Sequence, residues 1–307
     1  MSLRAISRKM KATSPVFIVG APRSWTSILF RTLQKHSSFI CREENLQETK
    51  LLKYANSSHL FKNDQPEALL YFMLNDTQRY QQFLDSIRPV QYLHKVIPNS
   101  VSNMLSRRLP LWWRLNLNPL VVRAYFYFAR QARECNRLLE KSPDNLYHVG
   151  KLHSAFPHCK MLFIYRHPLD VYASYCKRKK NDSNATWADI DPDVFANIYS
   201  TAIDRAFTCS ERYKDQFMMV KYENFTAQPE NTLSDICNYL HEPMQKEMLI
   251  EVNPDPEKWK IDPNLFCAIT SKVKNWQQFM APETGRQLEN ILCQDMERLG
   301  YSRYTQA

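Results

Sequence analysis

Residues 18–27, Ile18-Val-Gly-Ala-Pro-Arg23-Ser-Trp-Thr-Ser27, follow a short apolar run and open a helical pattern. They read as a strand, a loop and the start of a helix, an arrangement that presents backbone N–H groups and a positive dipole end to an oxyanion. A phosphate or phosphosulfate is the guest it suits. The loop has the outline of a Walker A turn but lacks the Gly-Lys-Ser/Thr ending that a nucleoside triphosphatase sets against its β/γ-phosphates and Mg²⁺. Arg23, Thr26 and Ser27 stand there instead. Taken alone, such a turn could equally be a plain connection.

A second stretch of the same kind decides between those readings. Met161-Leu-Phe-Ile-Tyr-Arg166-His-Pro168-Leu-Asp170-Val-Tyr-Ala-Ser174 runs from an apolar strand into an arginine and then into a helix opened by proline. Arg166 and Ser174 are eight residues apart (174 − 166). Across a turn and the first helical turns, that spacing lets a guanidinium and a hydroxyl converge on one phosphate. Two anion sites on two strand-helix junctions suit a nucleotide phosphorylated at two positions. The pair resembles the sulfotransferases that use 3′-phosphoadenosine-5′-phosphosulfate (PAPS). That family carries a 5′-phosphosulfate loop of Pro-Arg-Ser-x-Thr-Ser/Thr type and a 3′-phosphate motif, Arg-x-Pro-x-Asp-x-x-x-Ser.

Further landmarks of the family follow in order, so that the resemblance spans residues from about Val16 to Tyr301. Glu140-Lys141-Ser142-Pro143 is similar to the Glu-Lys-Ser/Thr-Pro segment of heparan sulfate sulfotransferases. Val220-Lys-Tyr222-Glu-Asn-Phe, then Pro229, resembles a segment whose Tyr lies near the nucleotide. Ile269-Thr270-Ser271-Lys272-Val-Lys-Asn-Trp276, with a helix ending in Leu299-Gly-Tyr301, resembles the C-terminal phosphate and adenosine clamp. The resemblance therefore implies cofactor contacts from Arg23, Ser24, Trp25, Thr26, Ser27, Arg166, Ser174, Tyr222, Thr270, Ser271 and Lys272. It implies PAPS as donor and 3′,5′-bisphosphoadenosine (PAP) as product.

Sulfuryl transfer is an in-line displacement through a loose transition state, for which a protein supplies position and charge. The migrating group bears little charge, so a metal is dispensable; Arg23, Lys141 and Ser271 are the candidates to stabilise charge on the leaving phosphate oxygen. The acceptor hydroxyl needs a base. Glu44, in Phe39-Ile-Cys-Arg-Glu-Glu44-Asn, lies just past an expected strand, where a carboxylate enters the crevice in which α/β ligands sit. This segment resembles the tyrosylprotein sulfotransferases, whose Cys-Gly-Glu-Glu-Thr run supplies the catalytic glutamate at the interval separating Glu44 from Arg23, 21 residues (44 − 23). Glu43 takes that role if the turn is shifted by one. Cytosolic steroid and phenol sulfotransferases use a His in a Lys-Thr-His-x-Pro segment that matches Lys141-Ser-Pro, where this chain has none; His94 is the nearest alternative, although a His in a strand-like run is more often a core residue. Trp25 departs from the glycine usual in the loop, which leaves it to stack on adenine or to pack beneath the loop.

The 307 residues are 44% hydrophobic and 23% charged, enough for a large core. Net charge is +10, which calls for an anionic partner; a cofactor with phosphates and a sulfate satisfies it without nucleic acid or membrane. The basic run Lys177-Arg-Lys-Lys180 reads as a solvated face, with cofactor steering as the alternative. Eight cysteines without Cys-x-x-Cys spacing give neither a zinc site nor a disulfide framework. Residues 1–14 are basic and polar, and no apolar run approaches the ~20 residues of a membrane span. A cytoplasmic enzyme without stable membrane insertion is the expectation. With only 4 glycines against 17 prolines, turns must lean on Asn, Asp, Ser and Pro.

Strands are expected at Val16–Val19, Phe39–Arg42, Pro89–Val96, Met161–Tyr165 and Phe217–Tyr222. Helices are expected at Trp25–Lys35, Tyr147–Phe156, from Pro168, from Pro192 to about Lys214, and at Glu230–Leu240. This alternation means an α/β fold: three layers of P-loop type, a mostly parallel central sheet, and one domain over 1–307. Residues 1–14 form a basic tail. Residues from about 45 to 140 form a helical substrate-side insertion, whose arginines and aromatics between Asn99 and Ala132 read as packing or as a membrane-surface helix. The acceptor is expected to be a small molecule, a natural-product hydroxyl or amine, with carbohydrate second. The rivals are an ATP-dependent P-loop phosphotransferase, which the missing Walker lysine disfavours, and a non-catalytic nucleotide- or polyanion-binding protein.

Overall fold

The computed structural model describes residues 14–21, 23–39, 136–250, 269 and 276–304. Four parallel strands make the sheet: β1 (Val16–Gly20), β2 (Leu139–Lys141), β3 (Lys160–Tyr165) and β4 (Phe217–Lys221), in the order β2-β1-β3-β4. In register, Val16 faces Leu139 on one side and Lys160 on the other, and Met161 faces Phe217. Side chains alternate across a strand, so two cores form. Phe17, Val19, Met161, Phe163 and Phe217 are buried on one face; Val16, Ile18, Leu162, Ile164 and Val220 are buried on the other. That two-sided burial is why the strands read as unbroken apolar runs.

Helices cover both faces. The first core is closed by α2 (Val149–Ala155), α3 (Pro168–Asn181), α4 (Pro192–Arg212), α7 (Pro282–Ile291) and α8 (Cys293–Arg298); the second by α1 (Thr26–Gln34), α5 (Tyr222–Ala227) and α6 (Pro229–Leu240). Proline opens α3, α4, α6 and α7, the first-turn position where its missing N–H costs nothing. Asp191 caps α4 by accepting the Asp193 N–H at 2.8 Å. Glycine scarcity shows at the end of α6, where His241 takes the left-handed conformation at φ 60° that glycine usually fills.

The three-layer α/β architecture expected from the sequence is present. Its local reading needs corrections. Leu139–Lys141 is a strand, although Glu140 and Lys141 give it no apolar signature. Glu140 is wholly buried there, accepting from Ser142 Oγ at 2.6 Å and Asn145 Nδ2 at 2.7 Å. Lys141 is the last residue of β2. The helix expected over Tyr147–Phe156 is split into a 3₁₀ turn, Pro143–His148, and α2. Phe39 sits in a turn, its N–H donating to the His36 carbonyl at 2.8 Å; the rest of the strand expected there, the strand at 89–96 and nearly all of the 45–140 insertion lie outside the described residues. Along the basic run on α3, Lys177, Lys179 and Lys180 are exposed; Arg178 pairs with Asp182 at 2.7 Å, Lys179 with Asp189, and the Lys177 ammonium lies 5.6 Å from the Phe279 ring centre. No helix among the described residues is long and apolar enough to cross a membrane.

Candidate active site

All four strands point the same way, so the residues at their C-terminal ends share one edge: Lys141, the loop after Gly20, Arg166 and Tyr222. The first loop is tight. A Cβ on Gly20 would lie 2.8 Å from the Ile164 carbonyl oxygen and 2.9 Å from Thr26 Cγ2, so only glycine lets the chain turn this close to β3. Arg23 and Trp25 both adopt φ 68°, while Ser24 between them does not. The sign change along these three residues gathers successive N–H groups on one side, a concavity of the kind that can take an anion. Left-handed backbone without glycine costs about 1–2 kcal/mol per residue, which the surrounding fold must offset. No side-chain hydrogen bond caps α1; the Ile28 and Leu29 N–H groups donate to the Trp25 carbonyl at 3.1 and 3.3 Å, and the N–H groups of Thr26 and Ser27 before them face the same concavity.

The second junction is assembled by side chains. Arg166 is 9% exposed, its guanidinium 3.6 Å from Asp170, 4.5 Å from the Tyr222 ring centre and 5.7 Å from that of Trp25. Trp25 and Tyr222 pack together with ring centres 4.7 Å apart. The indole thus packs against Tyr222 and Arg166 as a wall of the site. Burial, countered by the Arg166 charge, pushes the Tyr222 hydroxyl up to about 12, so it is a neutral donor at physiological pH.

The two junctions meet. Arg23 Nε donates to Ser174 Oγ at 3.1 Å, joining the first loop to the helix of the second. Among the described residues no hydrogen bond links Arg166 to Ser174; the serine engages Arg23 and the arginine turns to Asp170. Three buried polar atoms at this edge, Ser24 Oγ, Arg166 Nε and Tyr222 OH, have no hydrogen-bond partner among the described residues.

Residues that sequence reasoning missed brace the second junction from behind. Tyr199, wholly buried, donates to the Arg166 carbonyl at 2.8 Å. Glu223 accepts from the His167 N–H at 3.0 Å and from Tyr301 OH at 2.7 Å. His167 Nδ1 accepts from Leu169 N–H at 3.3 Å, which leaves its Nε2 to donate to the Ser302 carbonyl at 3.2 Å, and its ring stacks on Tyr304 at 3.5 Å. Burial, then the Glu223 charge, raises the Tyr301 hydroxyl far above its ordinary value. No local pattern announces these contacts, which join residues up to 135 apart in sequence. Of the other candidates, Thr26 is buried and Ser27 half-buried at the head of α1, and Lys141 is half-buried opposite Ile18. Glu43, Glu44, His94, Thr270, Ser271 and Lys272 lie outside the described residues. Among those described, no cluster of His, Cys, Asp and Glu has the makings of a metal site.

The model of the sulfotransferase family matches residues 15–246. Among solved structures, the chain is similar to the sulfotransferase domain of the Synechococcus PCC 7002 olefin synthase: 19% identity, TM-score 0.58, 94% of this chain and 96% of that one covered. It is similar also to the sulfotransferase domain from the curacin biosynthetic pathway, at 17% identity and TM-score 0.55, covering 94% and 98%. At such identities the likeness is one of fold. No curated protein matches the sequence.

Proposed function

The chain belongs to the sulfotransferase family, and from that premise we propose that it transfers a sulfuryl group from PAPS to a hydroxyl or amine of a small molecule. The observation that carries the choice of donor is the set of buried, unsatisfied polar atoms at the sheet edge, Ser24 Oγ, Arg166 Nε and Tyr222 OH. An unsatisfied buried group costs about 1–3 kcal/mol, and a nucleotide with anions at two positions would satisfy all three. When bound, PAPS supplies the sulfur that bonds to the acceptor oxygen as its bond to the 5′-phosphate oxygen breaks, yielding a sulfate ester and PAP.

Around that chemistry the residues divide the work. The loop N–H groups, Arg23, Thr26 and Ser27 hold the 5′ end; Arg166 holds the 3′-phosphate with a charge-assisted contact, and Ser174 stands between the two ends. Trp25 and Tyr222 wall the nucleotide. Arg23, Lys141 and Ser271 stabilise charge on the leaving oxygen, the first two as cations and the serine as a hydrogen-bond donor, Thr270 and Lys272 close the C-terminal clamp, and Glu44 takes the acceptor proton. Glu140 keeps Lys141 at the strand end by fixing the chain on either side of it. The acceptor is a natural-product hydroxyl or amine.

Thermal melting tests the donor. PAP should raise the melting temperature strongly, whereas ATP with Mg²⁺ or an RNA oligomer should leave it nearly unchanged. Equal shifts with ATP-Mg²⁺ point to the phosphotransferase reading, and a shift with RNA alone to a polyanion binder.

A further inference from the structure

Trp187 stands at the donor end of the site, yet the cofactor contacts leave it unused. It occupies a 3₁₀ turn, Thr186–Ala188, after α3, and is 54% exposed. The Arg23 guanidinium lies 5.9 Å from its ring centre. Tyr175, next to Ser174, meets the same ring edge-on at 6.0 Å. The turn is held firmly: Ala185 and Ala188 are buried, Ala185 N–H donates to the Asp182 carbonyl at 3.0 Å, Ala188 N–H donates to the Ala185 carbonyl at 2.9 Å, and Asp189 pairs with Lys179. A rigid turn that keeps an indole in solvent beside a cation has fixed that ring's position in advance of any ligand.

A second exposed aromatic belongs to the same rim. Tyr147 is 42% exposed in the turn that follows Lys141. The Tyr175 hydroxyl is pushed up to about 12, mainly by burial; the Arg23 charge pulls it down, and Asp144 and Tyr147 push it up. Tyr175 therefore lies within electrostatic reach of the loop arginine and of the turn after β2. Of the large hydrophobic residues exposed among those described, Tyr147, Trp187, Val194, Ile250 and Ile291, the two aromatic ones fall at this rim.

On the reading that the chain transfers a sulfuryl group, we propose that Trp187, with Tyr175 and Tyr147, forms the acceptor-binding wall, and that the acceptor is a planar aromatic alcohol. Ring faces and edges reward a flat apolar body lying against them, and Arg23 sets the depth at which its hydroxyl meets the donor end. A sugar would also stack, but it would need several side-chain carboxylates or amides for its hydroxyls. At this rim the Asp144 charge reaches Tyr175, and Asp189, two residues from Trp187, is already paired with Lys179.

The test uses the full chain, with 2-naphthol and N-acetylglucosamine as probes. Sulfuryl transfer from labelled PAPS is measured together with calorimetric binding of each probe to PAP-loaded protein. Trp187→Ala should raise KM and Kd for 2-naphthol about tenfold or more, with kcat within a few-fold and the PAP-induced melting shift intact. Trp187→Phe should restore most of the affinity. Unchanged KM and Kd in Trp187→Ala overturn the proposal, as do failure of the PAP-loaded wild type to bind 2-naphthol and preference for N-acetylglucosamine. Loss of the PAP shift in Trp187→Ala also overturns it, since the indole then only supports Arg23. A wild type that PAP does not stabilise breaks the donor assignment itself, a separate failure.

Discussion

The two strand-helix junctions proposed to hold the donor are built in opposite ways. The first is built from backbone: Gly20 where no Cβ fits, and Arg23 and Trp25 held left-handed so that N–H groups converge. The second is built from side chains, with Arg166 aimed by Asp170 and ringed by Trp25 and Tyr222, and its backbone fixed by Tyr199 and Glu223. A backbone cradle is cheap in sequence and costly in strain. A side-chain cradle needs little strain but requires a second layer of partners from distant parts of the chain.

The largest effect should come from a residue in neither cradle. If the junctions only bind and Glu44 takes the proton, Glu44→Gln should lower turnover of a hydroxyl acceptor by ~10²–10⁴ while PAP binding stays nearly constant. Turnover within a few-fold of wild type would hand the role to Glu43 or His94. Next in size, Arg166→Ala should weaken PAP by ~1.5–3 kcal/mol, the worth of a charge-assisted contact. Adenosine 5′-phosphosulfate, which lacks the 3′-phosphate, should bind almost as before because the first junction holds it. Equal losses for both nucleotides in calorimetry would mean that Arg166 braces the whole edge and that the two cradles are one.

The same contrast explains what the sequence made legible. Strand, loop and helix around Arg23 are written within ten consecutive residues, and the strand-Arg-Pro order around Arg166 is equally local, so the fold and both junctions could be read directly. The partners of those residues could not. Nothing near Ser174 signals Arg23, 151 positions away, and nothing near His167 signals Glu223 or Ser302. β2 escaped because a three-residue strand has no period, and because its buried charge, Glu140, is satisfied by Ser142 and Asn145 rather than excluded from the core. Trp25 looked like a flaw in the loop when judged against glycine. Its ring is a wall that Arg166 and Tyr222 lean on, a fact visible only once β4 and β1 are on the same edge.

The smallest effect tests whether the second cradle is kept unsatisfied for its ligand. Tyr222 OH is buried and lacks a hydrogen-bond partner among the described residues. Tyr222→Phe removes that unsatisfied group and keeps the ring against Trp25, so the ligand-free chain should gain up to about 1 kcal/mol in urea unfolding near neutral pH. PAP affinity should fall by a similar amount, because the hydroxyl no longer finds its anion. Alkaline pH gives an independent reading. Burial holds the hydroxyl's pKa at about 12 in the fold against about 10 in the unfolded chain, so its ionisation costs the fold nothing below pH 10 and destabilises it increasingly as pH rises toward 12. Between those values the wild type should lose stability more steeply than the Phe variant, while the other buried tyrosines, common to both proteins, cancel in the difference. A variant that loses stability at neutral pH would show the hydroxyl to be bonded within the fold and the second cradle to be satisfied without a nucleotide; one that follows the wild type's alkaline slope would show the hydroxyl to be open to water rather than buried.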